Sequence, residues 1–213
     1  MILGNDGGKL SKRHGALGLH EYIEMGYLPE ALCNYLMRLG WSHGDDEIIS
    51  MKDAVSWFDF DGINKSAGRF DFKKLNSLNA HYIKKAADKR LLDLIVPSLK
   101  SLLKIDINET RQDYVLRGMD ALKDRAETLV ELTQQAALYA QPRPVDVNEK
   151  AAKALDEKGL STLASLMDLF QQCDEFTIEN LEQEIKEFVA ENGLSFKDVG
   201  MPLRAALTGT LSA

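Results

Sequence analysis

Cysteine is close to absent from this chain: Cys33 and Cys173 are the only two, and they lie far apart in the sequence. Two thiols so placed build no disulfide framework, and no zinc site without partners of other residue types. Each falls within an apolar helical pattern, so the expectation for both is a buried free thiol. Long hydrophobic runs are missing as well. No stretch approaches the roughly 18 apolar residues that a membrane-crossing helix needs, and no charged segment leads into an apolar one at the N-terminus, as a secretory signal requires. This composition fits the cytoplasm, and no membrane partner is expected. Strand-like alternation is scarce beyond residues 1–3, which argues against a large sheet. His20, His43 and His81 converge on no carboxylate pair in the sequence, so no metal site and no general base is assigned to them. Ser11 has no neighbouring base and is no nucleophile candidate.

Helical periodicity is what the chain has in abundance. Helices are expected over residues 19–25, 29–40, 51–58, 71–78, 88–103, 112–124, 126–139, 149–158, 162–172, 177–192 and 202–207. Pro29 stands at a helix start, Gly26 and Gly40 at helix ends, and Ser50 with Asp53 three residues later forms a capping pattern. Pro97 should kink or split the 88–103 helix. Gln141-Pro142-Arg143-Pro144 is the clearest linker. The fold class that follows is mainly α. Residues 1–84 are expected to pack around a loop near residue 10, with a helical bundle after them in two sub-bundles, 85–141 and 142–213.

The formal net charge of −7 argues at first sight against a polyanionic partner. Its distribution says otherwise. Residues 1–90 are nearly balanced, with 13 basic and 12 acidic side chains, whereas residues 91–213 hold 13 and 21. Within residues 62–90 eight cations (Lys65, Arg69, Lys73, Lys74, Lys84, Lys85, Lys89 and Arg90) face only Asp71 and Asp88. That is a local basic patch on an otherwise acidic protein. Lys73 and Lys84 are eleven residues apart, as are Lys74 and Lys85. In one unbroken helix each pair would share a face, because eleven residues make about three turns. A solvated face is the competing reading. Tyr82 is assigned to core packing rather than base stacking, and Trp41 and Trp57 to core or hinge positions. Asp45-Asp46-Glu47 reads as a solvated acidic loop.

The second concentration of positive charge is Lys9-Leu10-Ser11-Lys12-Arg13, bracketed by Gly7-Gly8 and Gly15. Lysine suits phosphate as a compact point charge, and glycine allows close backbone approach. Taken on spacing alone, a basic loop of this size is more often a solvated turn. It is not a Walker A loop, since Gly8-Lys9 is followed by Leu10 rather than a hydroxyl residue.

Lys9-Leu10-Ser11-Lys12-Arg13 resembles the KMSKS signature of class I aminoacyl-tRNA synthetases, with Leu for Met and Arg for the last Ser. The segments Gly26-Tyr27-Leu28-Pro29-Glu30-Ala31-Leu32, Arg38-Leu39-Gly40-Trp41-Ser42, Asn64-Lys65-Ser66-Ala67 and Pro202-Leu203-Arg204-Ala205-Ala206-Leu207-Thr208-Gly209 are similar to bacterial glutamyl-tRNA synthetase. The likeness is dense through residue 83, looser to 195 and dense again at 201–209. No His-x-Gly-His occurs, so the Rossmann-type catalytic half of that family is expected to be absent, and the chain reads as a C-terminal fragment that starts just before the signature loop and stops short of the family's end.

The resemblance implies an activity for the intact enzyme: L-glutamate is joined to ATP as an adenylate, with Mg²⁺, and passed to tRNA(Glu). It implies that Lys12 contacts ATP and that Lys9 helps the loop close over the triphosphate. Lys65, Arg69, Lys73, Lys74, Lys84 and Lys85 would grip the RNA stem through its phosphates, which positions the RNA without reading its sequence. Arg125 would contact the anticodon, its alternative being an i,i+4 surface ion pair. Arg204 would face RNA or neutralise helix-end carboxylates. The family's habit is a monomer, and neither ATP nor Mg²⁺ is expected on this chain by itself. The competing function is an acidic helical protein–protein module with no RNA role, supported by the charge of residues 91–213. A glutaminyl enzyme fits less well, because its anticodon region is β-barrel in character.

Overall fold

The computed structural model describes residues 1–4, 7–10 and 17–211. Its architecture is mainly α, and the chain divides into two compact units, residues 1–141 and 142–213.

In the first unit a two-residue strand, β1 (Ile2–Leu3), pairs in parallel with β2 (Gly68–Arg69), Ile2 opposite Gly68 and Leu3 opposite Arg69. Between them run α1 (Leu19–Glu24), α2 (Pro29–Gly40) and α3 (Met51–Trp57). Helix α4 (Phe72–Lys85) follows, started by the Asp71 carboxylate accepting from the Lys73 amide. Expected to end near residue 78, it continues to 85. Its buried positions Leu75, Asn79 and Ile83 recur every fourth residue, and the polar Asn79 hides that stripe in the sequence.

The bundle is α5 (Asp88–Leu103), α6 (Glu109–Arg117), α7 (Met119–Lys123) and α8 (Leu129–Ala140). Pro97 does not split α5, whose Leu91, Leu92, Ile95 and Leu99 are all buried. Burying each such side chain contributes about 1.5–3 kcal/mol, enough to offset the single helix bond that proline removes. The single helix expected over 112–124 is two helices meeting at Gly118, where a Cβ would stand 2.5 Å from the Tyr139 ring. Leu28 and Ala31 of the first half join Leu91, Leu92, Ile95, Leu132 and Ala136 in one core cluster. A bidentate pair between Arg90 and Glu30 (2.5 and 3.0 Å) fastens α5 to α2, and the guanidinium holds the Glu30 carboxyl below its usual range.

A buried polar joint crosses the same unit. Asn79 Oδ1 accepts from the Leu28 amide (2.8 Å) and Nδ2 donates to the Glu127 carbonyl (2.6 Å). The Gly26 carbonyl accepts from the Leu129 amide at 2.9 Å. Tyr82 is a core residue as expected: its ring packs on the core cluster and its hydroxyl donates to Asn34 Oδ1 at 2.9 Å.

Several surface expectations are corrected. Cys33 is exposed, because α2 buries the opposite side through Ala31, Leu32, Asn34 and Tyr35; Cys173 is half-buried just past a helix end. Trp41 is buried, with its indole donating to the Asp59 carbonyl (3.1 Å), but Trp57 is partly exposed and stacks on His43 with ring centroids 4.7 Å apart. The acidic loop is tied down rather than merely solvated. The Asp46 carboxylate meets His43, its carbonyl accepts from Arg38, and the Glu47 carbonyl accepts from Asn34.

The second unit holds α9 (Glu149–Ala152), α10 (Glu157–Gln171), α11 (Ile178–Glu191) and α12 (Phe196–Thr208) around Leu166, Val189 and Val199. The helix expected over 149–158 stops at Ala152, because Asp156 caps a new helix by accepting from the Gly159 amide. The last helix starts six residues earlier than expected, at a capping box between Ser195 and Asp198. Arg204 donates to the Leu211 carbonyl (3.2 Å). Lys158 reaches Asp198 at 2.8 Å, and this bond, with those from Ser195, holds the Asp198 carboxyl far below its usual range. A depressed carboxyl stabilises the fold above its ordinary pKa near 3.8, and that stability is lost as pH falls through the folded-state value. In Asp198→Asn, an acid titration followed by circular dichroism should therefore show a lower starting stability and a shallower loss below pH 4. Identical acid profiles for the two proteins would refute this role.

Candidate nucleic-acid interface

Two features of the first unit bear on polyanion binding. The first is the base of the basic loop. The Leu10 amide donates to the Ile2 carbonyl (2.9 Å), Leu3 and Lys9 form an antiparallel bridge, and the Gly4 amide donates to the Gly8 carbonyl (2.9 Å). Leu10 packs against the cluster of Tyr22, Tyr27, Tyr35 and Phe70. Lys9 thus leaves a hydrogen-bonded turn with its side chain exposed. Ser11, Lys12 and Arg13 lie outside the described residues.

The second is helix α4. It is unbroken from 72 to 85, so the condition for each pair of lysines to share a face is met. Eleven residues put Lys73 about 16 Å from Lys84 along the axis, and Lys74 as far from Lys85. All four are exposed, as are Lys65 and Arg69. Among the described residues, no ion pair is formed by Lys65, Arg69, Lys73, Lys74 or Lys85. Lys84 differs, meeting Asp124 at 2.5 Å and holding that carboxyl below its usual range. Arg125 follows Asp124 directly. Its side chain is exposed, its carbonyl accepts from Gln135 (3.2 Å), and it forms none of the ion pairs among described residues, i,i+4 or otherwise. It therefore stands near the C-terminal end of the basic helix.

One face of α4 also forms the wall of a cleft. Lys74, Ser77, Leu78 and His81 line it from α4, Tyr35, Arg38 and Leu39 from α2, and Arg69 from β2, around a cavity of about 330 Å³. The eleven-residue spacing of Lys74 and Lys85 was legible in the sequence, whereas Leu78 and His81 between them on the same face were not assigned. Arg38, which adds a cation from another helix, was not assigned either. Among the described residues no group of three or more His, Cys, Asp or Glu side chains converges to hold a metal ion.

Comparison with known proteins meets this geometry from both ends of the chain. Residues 78–213 match the model of the anticodon binding domain family, and residues 1–77 match that of the catalytic domain of class I tRNA synthetases (E and Q). The chain belongs to the anticodon binding domain family. Curated relatives of this chain include glutamate–tRNA ligase 2 of Rhodospirillum rubrum, 48% identical over 210 residues, which cover 99% of this chain and 45% of the relative. Glutamate–tRNA ligase 1 of Bartonella henselae is 44% identical over 218 residues, covering 100% and 45%. A solved glutamate tRNA ligase from Elizabethkingia meningosepticum superimposes with a TM-score of 0.78 at 27% identity, covering all of this chain and 45% of that one. The chain thus spans a little under half the length of the relatives it matches, and the resemblance to bacterial glutamyl-tRNA synthetase holds throughout it.

Proposed function

We propose that this chain is the tRNA-binding part of a glutamate–tRNA ligase, which attaches L-glutamate to tRNA(Glu) through a glutamyl-adenylate made from ATP with Mg²⁺. The observation that carries the reading is α4, a continuous helix with exposed lysines at both ends on two faces and few opposing carboxylates. Lys65, Arg69, Lys73, Lys74 and Lys85 take phosphates of the RNA stem, with Lys84 joining them by exchanging its Asp124 contact for a phosphate. Arg125 serves the anticodon-proximal side. Residues 1–84 carry the signature loop and the stem grip, 85–141 the first helical sub-bundle and 142–213 the second. Lys9 and Lys12 act on ATP: two ammonium groups on one loop neutralise triphosphate charge as attack on the α-phosphate builds it. The protein works in the cytoplasm as a monomer.

Binding of tRNA(Glu), followed by fluorescence anisotropy, tests the reading. Saturable binding that weakens with salt is expected, while a protein indifferent to RNA but retained by another protein would favour the acidic interaction module. Glutamate and ATP activation should be absent from this chain alone, because no His-x-Gly-His partners the signature loop in these residues. Glutamate-dependent pyrophosphate exchange above background would contradict that.

A further inference from the structure

The cleft between α2 and α4 is a second basic feature, distinct in shape from the open lysine face beside it. Arg38, Arg69, Lys74 and His81 bring three fixed cations and an imidazole to its walls, against the single carboxylate of Glu47. Leu39 and Leu78, which pack on the core cluster of Tyr22, Tyr35 and Phe70, supply an apolar wall. Arg38 is held in place, its guanidinium donating to the Asp46 carbonyl, and Tyr35 accepts from the Asp71 amide at 2.6 Å. By contrast, Lys74, Ser77 and His81 have no hydrogen bond or ion pair with a described residue beyond the helix backbone; His81 has only its edge contact with the Tyr82 ring. Half of the cleft is therefore fixed and half is a row of uncommitted polar side chains. A cavity of about 330 Å³ falls at the lower end of the roughly 300–1,000 Å³ typical of small-ligand sites.

We infer that this cleft seats one nucleotide unit of an RNA strand, its phosphate between Arg69, Lys74 and Arg38 and its sugar or base face against Leu39 and Leu78. The inference rests on the reading of the chain as an RNA binder. An RNA strand is the favoured source of the phosphate because the α4 stripe does not end at the cleft. Lys74, Leu78 and His81 lead on to Lys85 one turn further, so a strand leaving the cleft meets the next lysine on the same face. Arginine, with its planar fork, is suited to hold a phosphate bidentately, and an apolar wall beside it favours a sugar or base over a bare anion.

The test places a carboxylate in the cleft with Ser77→Glu, an exposed α4 position whose change spares the core, beside Ser101→Glu on the exposed side of α5 as a control of equal charge. Binding of tRNA(Glu) is measured for each. The His81 ring resonances are followed by NMR on titrating a tetranucleotide, ATP and inorganic phosphate separately. Ser77→Glu is expected to weaken tRNA binding at least tenfold while Ser101→Glu stays within about twofold. The tetranucleotide should move the His81 signals at lower concentration than inorganic phosphate. If tRNA binds both variants alike, the cleft inference falls and the RNA reading stands. If tRNA binds none of the proteins, both fall. If phosphate or ATP moves His81 and the tetranucleotide does not, the cleft is a free-anion site and the RNA assignment is overturned.

Discussion

Replacing Gly26 with alanine is expected to cost residues 1–141 about 3 kcal/mol of stability. Gly26 has φ +83°, a conformation that costs an L side chain about 1–2 kcal/mol. Its Cβ would stand 2.7 Å from the Val130 amide nitrogen and 2.8 Å from that of Leu129, both backbone atoms at the start of α8 that no rotamer change can move aside. Relief requires α8 to retreat. That would stretch the bond from the Leu129 amide to the Gly26 carbonyl and the neighbouring bonds through Asn79, each worth about 1 kcal/mol. Gly44→Ala, in the same unit, is the control: its φ is +51° but nothing lies within 4 Å of its Cβ, so only the conformational cost applies. Urea unfolding of both variants and the parent measures the difference. Equal losses for the two alanines would show that Gly26 is not a close-packed joint.

That joint also marks where the sequence stopped being informative. Glycine at 26 was legible as a helix end, since local spacing carries that signal. Its tight seat beneath α8 depends on a contact over a hundred residues away, which no local pattern records. The same holds for α4. Asn79 interrupts the apolar stripe, and its partners, the Leu28 amide and the Glu127 carbonyl, are remote in sequence. Asp124 as the partner of Lys84 and Arg38 as a wall of the cleft were hidden for the same reason. The mainly α class and most helix starts were readable, because caps such as Ser50, Asp71 and Thr177 act within three residues. Cys33 misled because an apolar helix buries only one side, and Cys33 lies on the other.

The second large effect concerns the lysines of α4. Changing Lys73, Lys74, Lys84 and Lys85 together to alanine removes four cations from exposed positions without touching Leu75, Asn79 or Ile83, so the helix should persist. Alanine is also the best helix former. Exposed charge contacts contribute up to about 1 kcal/mol each, so the loss of tRNA affinity is expected on the order of 10²-fold. Each phosphate neutralised also adds a little under one unit to the slope of log affinity against log salt, so removing four cations should make the slope shallower by roughly three to four. The two quantities separate the grip from general damage. A misfolded variant loses affinity without the expected change of slope, whereas a variant that has lost only phosphate contacts shows both.

The most direct measurement is therefore the affinity of this chain for tRNA(Glu) across a salt series, with the four-lysine variant alongside and circular dichroism to verify its helix content. A steep slope for the parent, with weaker binding and a shallower slope for the equally helical variant, is the result expected if α4 grips RNA. Parallel slopes and equal affinities in the two proteins, or no binding by either, would contradict the assignment of α4 as the RNA grip.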